Sequence, residues 1–235
     1  MTDEQAEKNT VQPDLIASYA EKRSDYFTGA RRDFVALLPD DPKASILEVG
    51  CGTGATGALA LAQGKCGRYV GVELMEPAAA EARKVLSEVI TGNVESLDLK
   101  FPAATFDALI MSEVLEHLAD PWAVLRRLGP LLRPGARVLA SSPNVSNWKI
   151  IRQLYRGRFD LTERGIMDRT HLRWFTPGTY GEMFESCGFT VDKVYPISPL
   201  KPHQRAVAFL LGGRQHLFCS QICVSGRWRG RNQEA

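Results

Sequence analysis

Cysteine is scarce and scattered. Cys51, Cys66, Cys187, Cys219 and Cys223 form no CxxC pair and no Cys/His cluster, which excludes a disulfide frame or a structural zinc site and suits reduced thiols in a cytosol-like compartment. Long apolar runs are missing too. The longest, Ala206 to Leu211, is six residues, far short of the roughly 20 that a membrane-spanning helix needs. Net charge is only +2, too near balance for a chain coated in nucleic acid, so DNA is excluded as a partner and RNA is disfavoured. Repeats and low-complexity blocks are absent, and the opening MTDEQAEKNTVQ lacks the basic and apolar regions of a secretory leader. With 44% apolar and 24% charged residues, what is there has the make-up of a globular protein, expected to be cytoplasmic.

Residues 1–12 show no apolar periodicity and read as disordered. Residues 13–43 carry apolar and aromatic residues at helical intervals. They are expected to form two helices, with Tyr19, Tyr26 and Phe27 either in the core or in a lid, broken near Thr28–Gly29 and stopped by Pro39. A main domain over 44–226 follows, then a basic tail over 227–235. The tail that carries Arg227, Arg229 and Arg231 reads as either disordered or in contact with an anionic inner-membrane surface.

Within the main domain, strands are expected at 45–49, 68–73, 106–111, 136–140, 189–195 and 217–224. Helices are expected at 55–63, 78–87, from Asp120-Pro121 to Leu132, and from Thr176-Pro177 to Cys187-Gly188. This alternation implies right-handed crossovers and a mostly parallel sheet covered on both faces. No long helix is expected between the last two strands, which allows an antiparallel edge. Residues 143–175 break the alternation and read as a substrate-facing insertion, because long connections at the carboxyl edge of such sheets carry ligand chemistry.

The stretch Ile46-Leu-Glu-Val-Gly-Cys-Gly-Thr-Gly-Ala-Thr-Gly57 is a strand running into glycines, which lets backbone approach a ligand and points helix N–H groups at it. Alone this is weak, since Gly52, Gly54 and Gly57 also satisfy the spacing of a dinucleotide site. Two acids help to choose. Glu73, nineteen residues after Gly54, can accept both hydroxyls of a ribose. Glu48 would repel a pyrophosphate, yet suits a ligand whose charges are an ammonium and a sulfonium. The bland alternative makes Glu48 a helix-capping acid.

ILEVGCGTG, then GVE at 71–73, FDALIMSEVLEHL at 106–118 and LRPGARVLASSPN at 132–144 resemble the class I S-adenosylmethionine-dependent methyltransferases over about 44–189. The resemblance implies a single α/β domain, a Rossmann-like seven-stranded mostly parallel sheet with the last strand antiparallel. It implies an enzyme with S-adenosylmethionine as methyl donor. Glu48, Gly50, Gly52 and Gly54 would hold the methionine part and Glu73 the ribose. Asn93, standing where the family commonly has an acid, would accept from the adenine amino group, and Cys51, Leu74 and Val94 would also belong to the cofactor site. Ser112 and Glu113 would face the methyl group.

Glu113, Glu116 and His117 would fall at i, i+3 and i+4 if the turn after the fourth strand is helical. Such a face could hold Mg²⁺ or Mn²⁺, His117 could be a metal-free general base, or the set could be a solvated helix start. EVLEH with His171 downstream resembles two groups of the superfamily, the ubiquinone-pathway O-methyltransferases and the small-RNA 3′-terminal 2′-O-methyltransferases. The latter resemblance implies Glu113, Glu116, His117 and His171 as metal ligands, with Glu113, His117 and His171 catalytic.

The wording of SSPNVSNW and RQLYRGRFDLTERGIMDRTHLRWFT resembles bacterial methyltransferases associated with polysaccharide genes. Between Asn147 and Phe175 seven Lys/Arg face three acids, which suits an anionic, ring-containing acceptor such as a phosphorylated, nucleotide-linked or lipid-linked glycan. O-methylation of a sugar-type hydroxyl is therefore the leading expectation. A quinone precursor between Trp148, Tyr155 and Trp174, an RNA 2′-hydroxyl, and a non-catalytic, cofactor-binding partner subunit stand beside it. Oligomeric state stays open.

Overall fold

A computed structural model of the protein describes residues 29–230. The start expected to be disordered, Tyr19, Tyr26 and Phe27 with their expected core or lid role, and Arg231 lie outside the described residues. Two compact units divide the chain, 1–99 and 100–235.

In the first unit, α1 (Arg32–Leu37) precedes β1 (Ser45–Val49), α2 (Ala55–Ala62), β2 (Arg68–Glu73), α3 (Glu76–Ala82) and β3 (Glu88–Thr91). β1 is buried at all five positions, the pattern of a parallel strand covered on both faces. It runs parallel to β2 with Ser45 opposite Arg68 and Val49 opposite Val72, and β2 runs parallel to β3. Gly57 lets α2 lie close to β2, because a Cβ there would sit 2.5 Å from the Tyr69 ring. β1 and β2 match their expected bounds. β3 was not foreseen, since Val89-Ile90-Thr91 is too short a run to announce itself. α3 starts two residues before its expected first position and stops at Ala82 rather than Ser87.

The second unit runs β4 (Phe106–Ser112), α4 (Pro121–Leu128), β5 (Leu132–Pro143), α5 (Trp148–Tyr155), α6 (Pro177–Ser186), β6 (Phe189–Pro196), α7 (Pro202–Leu210) and β7 (Gln221–Trp228). Asp120 caps α4 by accepting the Ala123 N–H at 2.9 Å, with Pro121 at the first position. Thr176 and Thr179 form a capping box on α6. Rings from Trp122 through Phe175, Tyr180, Phe184 and Phe189 to Trp228 follow one another with centroids 5.0–6.4 Å apart, the aromatic spine of this unit.

Sheet order is β3-β2-β1-β4-β5-β7-β6. β4 and β5 are parallel, whereas β7 is antiparallel to both β5 and β6. The seven-stranded α/β expectation with its last strand antiparallel is met. Several details are corrected. α4 stops at Leu128 rather than Leu132, because Pro130 has no N–H to continue it and Gly129 lies under the Trp228 ring. Pro134-Gly135 does not separate helix from strand; it forms a bulge inside β5, with Gly135 at φ 81. β7 starts at Gln221 instead of Leu217 and lies between β5 and β6, so the edge pair is antiparallel, and the connection expected to carry no long helix holds the nine-residue α7. The tail arginines are built into the fold: Arg227 lies in β7 beside Asp192, and Arg229 donates to the carbonyls of Glu185 and Phe189.

Candidate active site

Each unit carries one cluster of the expected residues. In the first unit, β1 delivers Glu48 and then turns sharply, with Gly50, Gly52 and Gly54 at φ 74, 54 and 83, in the region where a side chain is strained. The Gly50 and Cys51 N–H groups donate to the Val72 carbonyl at 2.8 and 3.2 Å, tying the turn to the end of β2. Gly54 then opens α2.

Glu73 locks this turn. One carboxylate oxygen accepts the Gly52 N–H at 2.8 Å and the other the Met75 N–H at 3.0 Å. Burial raises its pKa, and those N–H groups work in the other direction. Glu48 is 2% exposed and accepts the Tyr69 hydroxyl at 2.9 Å. Burial pushes its carboxyl up to about 7, against the Tyr69 hydrogen bond, and the charge of Glu73 adds to the rise. The Arg31 guanidinium, held by Asp33 at 2.7 and 2.9 Å, opposes the rise only as the last of its causes. Two buried acids on neighbouring strands disfavour a polyanion and suit a positively charged ligand. The Cys51 thiol, held neutral by burial, packs against Gly71 of β2.

Asn93 follows β3, and its side-chain oxygen already accepts the Glu95 N–H at 2.9 Å, which shapes the turn that buries Val94. Leu74 follows Glu73 directly, half-buried. The expected donor residues of this unit therefore lie at the carboxyl ends of β1 and β2 and on the turns that follow β1, β2 and β3, the chain positions where open α/β sheets bind ligands.

In the second unit, β4 ends at Ser112, whose hydroxyl lies 3.2 Å from that of Ser141 on β5. The chain then leaves the sheet abruptly. Glu113 takes φ 56, one of only two non-glycine residues at positive φ among those described, a strained backbone of the kind found at working sites. Leu115–His117 is a single 3₁₀ turn rather than α-helix. The i, i+3, i+4 face expected of Glu113, Glu116 and His117 is therefore not formed.

Three of the four expected ligands still meet. One donor atom each from Glu116, His117 and His171 lies within 4.8 Å of the others, all three residues being buried. Glu113 is outside that group and acts on it through its charge. The Nδ1 atoms of His117 and His171 lie 3.1 Å from the carbonyls of Thr170 and Ile166. A carbonyl can only accept, so each Nδ1–H donates and the lone pair of each ring is on Nε2. The rings meet edge to face at 4.8 Å.

Glu116 is 1% exposed, and neither carboxylate oxygen closes a hydrogen bond of normal geometry. Burial, and then the charge of Glu113, hold its pKa well above the usual carboxylate range; its own N–H and the Ser142 hydroxyl oppose this weakly. The backbone secures it: the Glu116 carbonyl accepts the N–H groups of Leu172 at 2.7 Å and Arg173 at 3.0 Å, stitching the long insertion onto the 3₁₀ turn.

Asp168 was not singled out from the sequence. It is 4% exposed, its side chain accepts the Thr170 N–H and hydroxyl, and its carbonyl accepts the His171 N–H, so it builds the loop that presents both histidine-orienting carbonyls. The spacing Asp-Arg-Thr-His fits such an Asx turn, which is the signal that could have found it.

A methyltransferase-domain family model matches residues 19–194. The chain belongs to that family, the class I S-adenosylmethionine-dependent methyltransferases. A ubiquinone biosynthesis O-methyltransferase of Xanthomonas campestris pathovar campestris is 32% identical over 121 residues, covering 48% of this chain and 49% of its own. A trans-aconitate 2-methyltransferase of Deinococcus radiodurans is 27% identical over 198 residues, covering 80% and 74%. The chain spans about half the length of the Xanthomonas protein and of other curated relatives at 31–32% identity. The crystal structure of an S-adenosylmethionine-dependent methyltransferase from Mesorhizobium loti shares the fold with a TM-score of 0.60 at 20% identity, over 85% of this chain and 98% of that one. Family membership assigns S-adenosylmethionine as the methyl donor, and the acid-lined turns of the first unit have the matching charge.

Proposed function

We propose that the protein transfers the methyl group of S-adenosylmethionine to a hydroxyl of a small sugar- or glycan-type acceptor that is anionic. Glu48 and the turn over Gly50, Cys51, Gly52 and Gly54 bind the methionine part. Glu73 and Leu74 take the ribose, and Asn93 and Val94 the adenine. Ser112 adjoins the methyl group. The acceptor oxygen attacks that methyl carbon as the carbon–sulfur bond breaks; the hydroxyl proton leaves to a base, and the products are a methyl ether and S-adenosylhomocysteine.

The observation that carries this reading is the buried cluster of Glu116, His117 and His171. Two uses of it compete. His117 Nε2 can itself take the hydroxyl proton, its ring held for that by the Thr170 carbonyl. Alternatively Glu116, His117 and His171 hold Mg²⁺ or Mn²⁺ beside Glu113, a use favoured by the sealed Glu116 carboxylate. Such a cation would supply positive charge that lowers the acceptor's pKa. The two uses exclude each other at His117 Nε2, and chelation separates them. Wild type and His171→Ala are assayed with EDTA and with added Mn²⁺. Loss of wild-type activity in EDTA and its return with Mn²⁺ supports the cation; full activity of both proteins under both conditions ends that reading.

For the acceptor, the basic insertion is narrower than its composition suggested. Arg158 pairs with Asp160, Arg169 with Glu163, and Arg173 donates to the Ala119 carbonyl. Anion recognition then rests on Lys149, Arg152, Arg156 and Arg164. A quinone-type phenol is the second reading, favoured by the likeness to a ubiquinone-pathway enzyme. A tritiated-methyl transfer screen over phosphorylated saccharides, catechols and RNA ranks these classes. Turnover on catechols alone displaces the saccharide reading, and no transfer to any of them points to a non-catalytic partner subunit.

A further inference from the structure

Two short helices leave large apolar side chains in water. Of the nine residues of α7 only Ala208 is buried, while Phe209 and Leu210 are each 81% exposed, flanked by exposed Val207 and Leu211. Val207, Leu210 and Leu211 share one stripe at i, i+3 and i+4, with Phe209 beside it. α5 repeats the pattern: only Ile150 is buried, and Trp148, Ile151, Leu154 and the 91% exposed Tyr155 are outside, followed by Phe159 and Leu161. Clusters of this kind mark an interaction surface rather than ordinary scatter.

Charge says what the surface meets. No Asp or Glu occurs between Asp192 and Glu234, nor between Asp120 and Asp160. Lys201, His203 and Arg205 therefore open α7, and Arg214 follows it, with no acid in the same connection. On α5, Lys149, Arg152 and Arg156 make no salt bridge among the described residues, and Arg152 lies over the Trp148 ring at 5.4 Å. A second copy of the chain docked through this surface about a twofold axis would set cation against cation. An anionic bilayer offers the opposite sign together with an apolar layer for the rings.

The two helices are also mounted on one junction. Buried Asn144 donates through Nδ2 to the carbonyls of His216 at 2.7 Å and Cys219 at 2.9 Å, in the 3₁₀ turn and bend that follow α7. Buried Asn147 donates to the same Cys219 carbonyl at 3.0 Å, while its Oδ1 accepts the Lys149 N–H and caps α5. No helix of the described residues is long and apolar enough to cross a membrane, so the surface suits lying in the interface rather than spanning it.

We propose that α7 and α5 form an interfacial surface that seats the protein on an anionic lipid bilayer. The inference does not depend on which acceptor is methylated, and because Lys149, Arg152 and Arg156 also enter the anion recognition proposed above, its test is placed on Phe209 and Leu210, which that reading does not use. Sedimentation of the full chain with phosphatidylglycerol-containing vesicles tests it, with phosphatidylcholine vesicles as control. Wild type is expected to bind the anionic vesicles at low salt, to bind the neutral ones weakly, and to dissociate at high salt. Phe209→Ser/Leu210→Ser is expected to lower partitioning by about tenfold or more, with S-adenosylhomocysteine affinity unchanged as the check on folding. Absence of wild-type binding at low salt, or equal binding by the variant, overturns the proposal. So does a wild-type dimer in sizing that the same double substitution converts to monomer without any vesicle binding, since the occupant is then a second copy.

Discussion

The two site clusters differ in how completely their polar groups are satisfied. In the first unit both acids have partners before any ligand arrives: Tyr69 serves Glu48, and the N–H groups of Gly52 and Met75 serve Glu73. In the second unit Glu116 is sealed in with neither oxygen closing a hydrogen bond of normal geometry, and the adjoining Glu113 backbone is strained. A satisfied network is rigid and ready to bind, whereas a buried acid left without partners costs stability until a proton, a cation or a polar substrate group serves it. The contrast fits a donor pocket made in advance and a reactive cluster completed by what it acts on.

The largest separation of the two is expected from His117→Ala or His171→Ala. Turnover should fall by about 10²–10⁴, with S-adenosylhomocysteine affinity in calorimetry unchanged. Glu48→Gln should do the reverse, weakening donor affinity by roughly ten- to a hundredfold through loss of a charge-assisted contact, with turnover at saturating donor little affected.

Titration sharpens the same comparison. Glu48 carries a folded-state pKa of about 7 against an ordinary 4.5, so without ligand it favours the protonated form. Its contribution to stability is full below pH 4.5 and is lost as pH rises to about 7. Cationic donor binding runs the other way. Affinity should strengthen as pH rises through about 7, where the carboxylate forms, and Glu48→Gln should flatten that profile.

Smaller effects are expected from two backbone substitutions. Gly57→Ala drives a Cβ into the Tyr69 ring and should cost about 1–3 kcal/mol in denaturant unfolding, with some loss of donor affinity because Tyr69 supports Glu48. Glu113→Gly relieves the left-handed strain and the repulsion of Glu116, and should raise stability by about 1 kcal/mol while lowering turnover.

The same contrast governs what could be read from the sequence. Donor residues follow from local chain chemistry: an apolar strand, glycines where φ must be positive, and an acid at the end of the next strand. Hence β1 and β2 match to the residue. The second cluster depends on long-range stitching. No local pattern announces that Glu113 adopts φ 56, that Glu116 holds residues 172 and 173 through its carbonyl, or that Asp168 shapes the loop behind both histidines. His171 was found only through resemblance. α7 escaped notice because its apolar residues cover no core, and β7 was misplaced by four residues because Asn144 holds the preceding segment in a 3₁₀ turn.

The most direct measurement is a calorimetric titration with S-adenosylhomocysteine at pH 8 of wild type, Glu48→Gln and Glu116→Gln. Division of labour between the clusters requires weakened binding in Glu48→Gln alone, with Glu116→Gln matching wild type. Equal weakening in both variants, or weakening in Glu116→Gln alone, contradicts it.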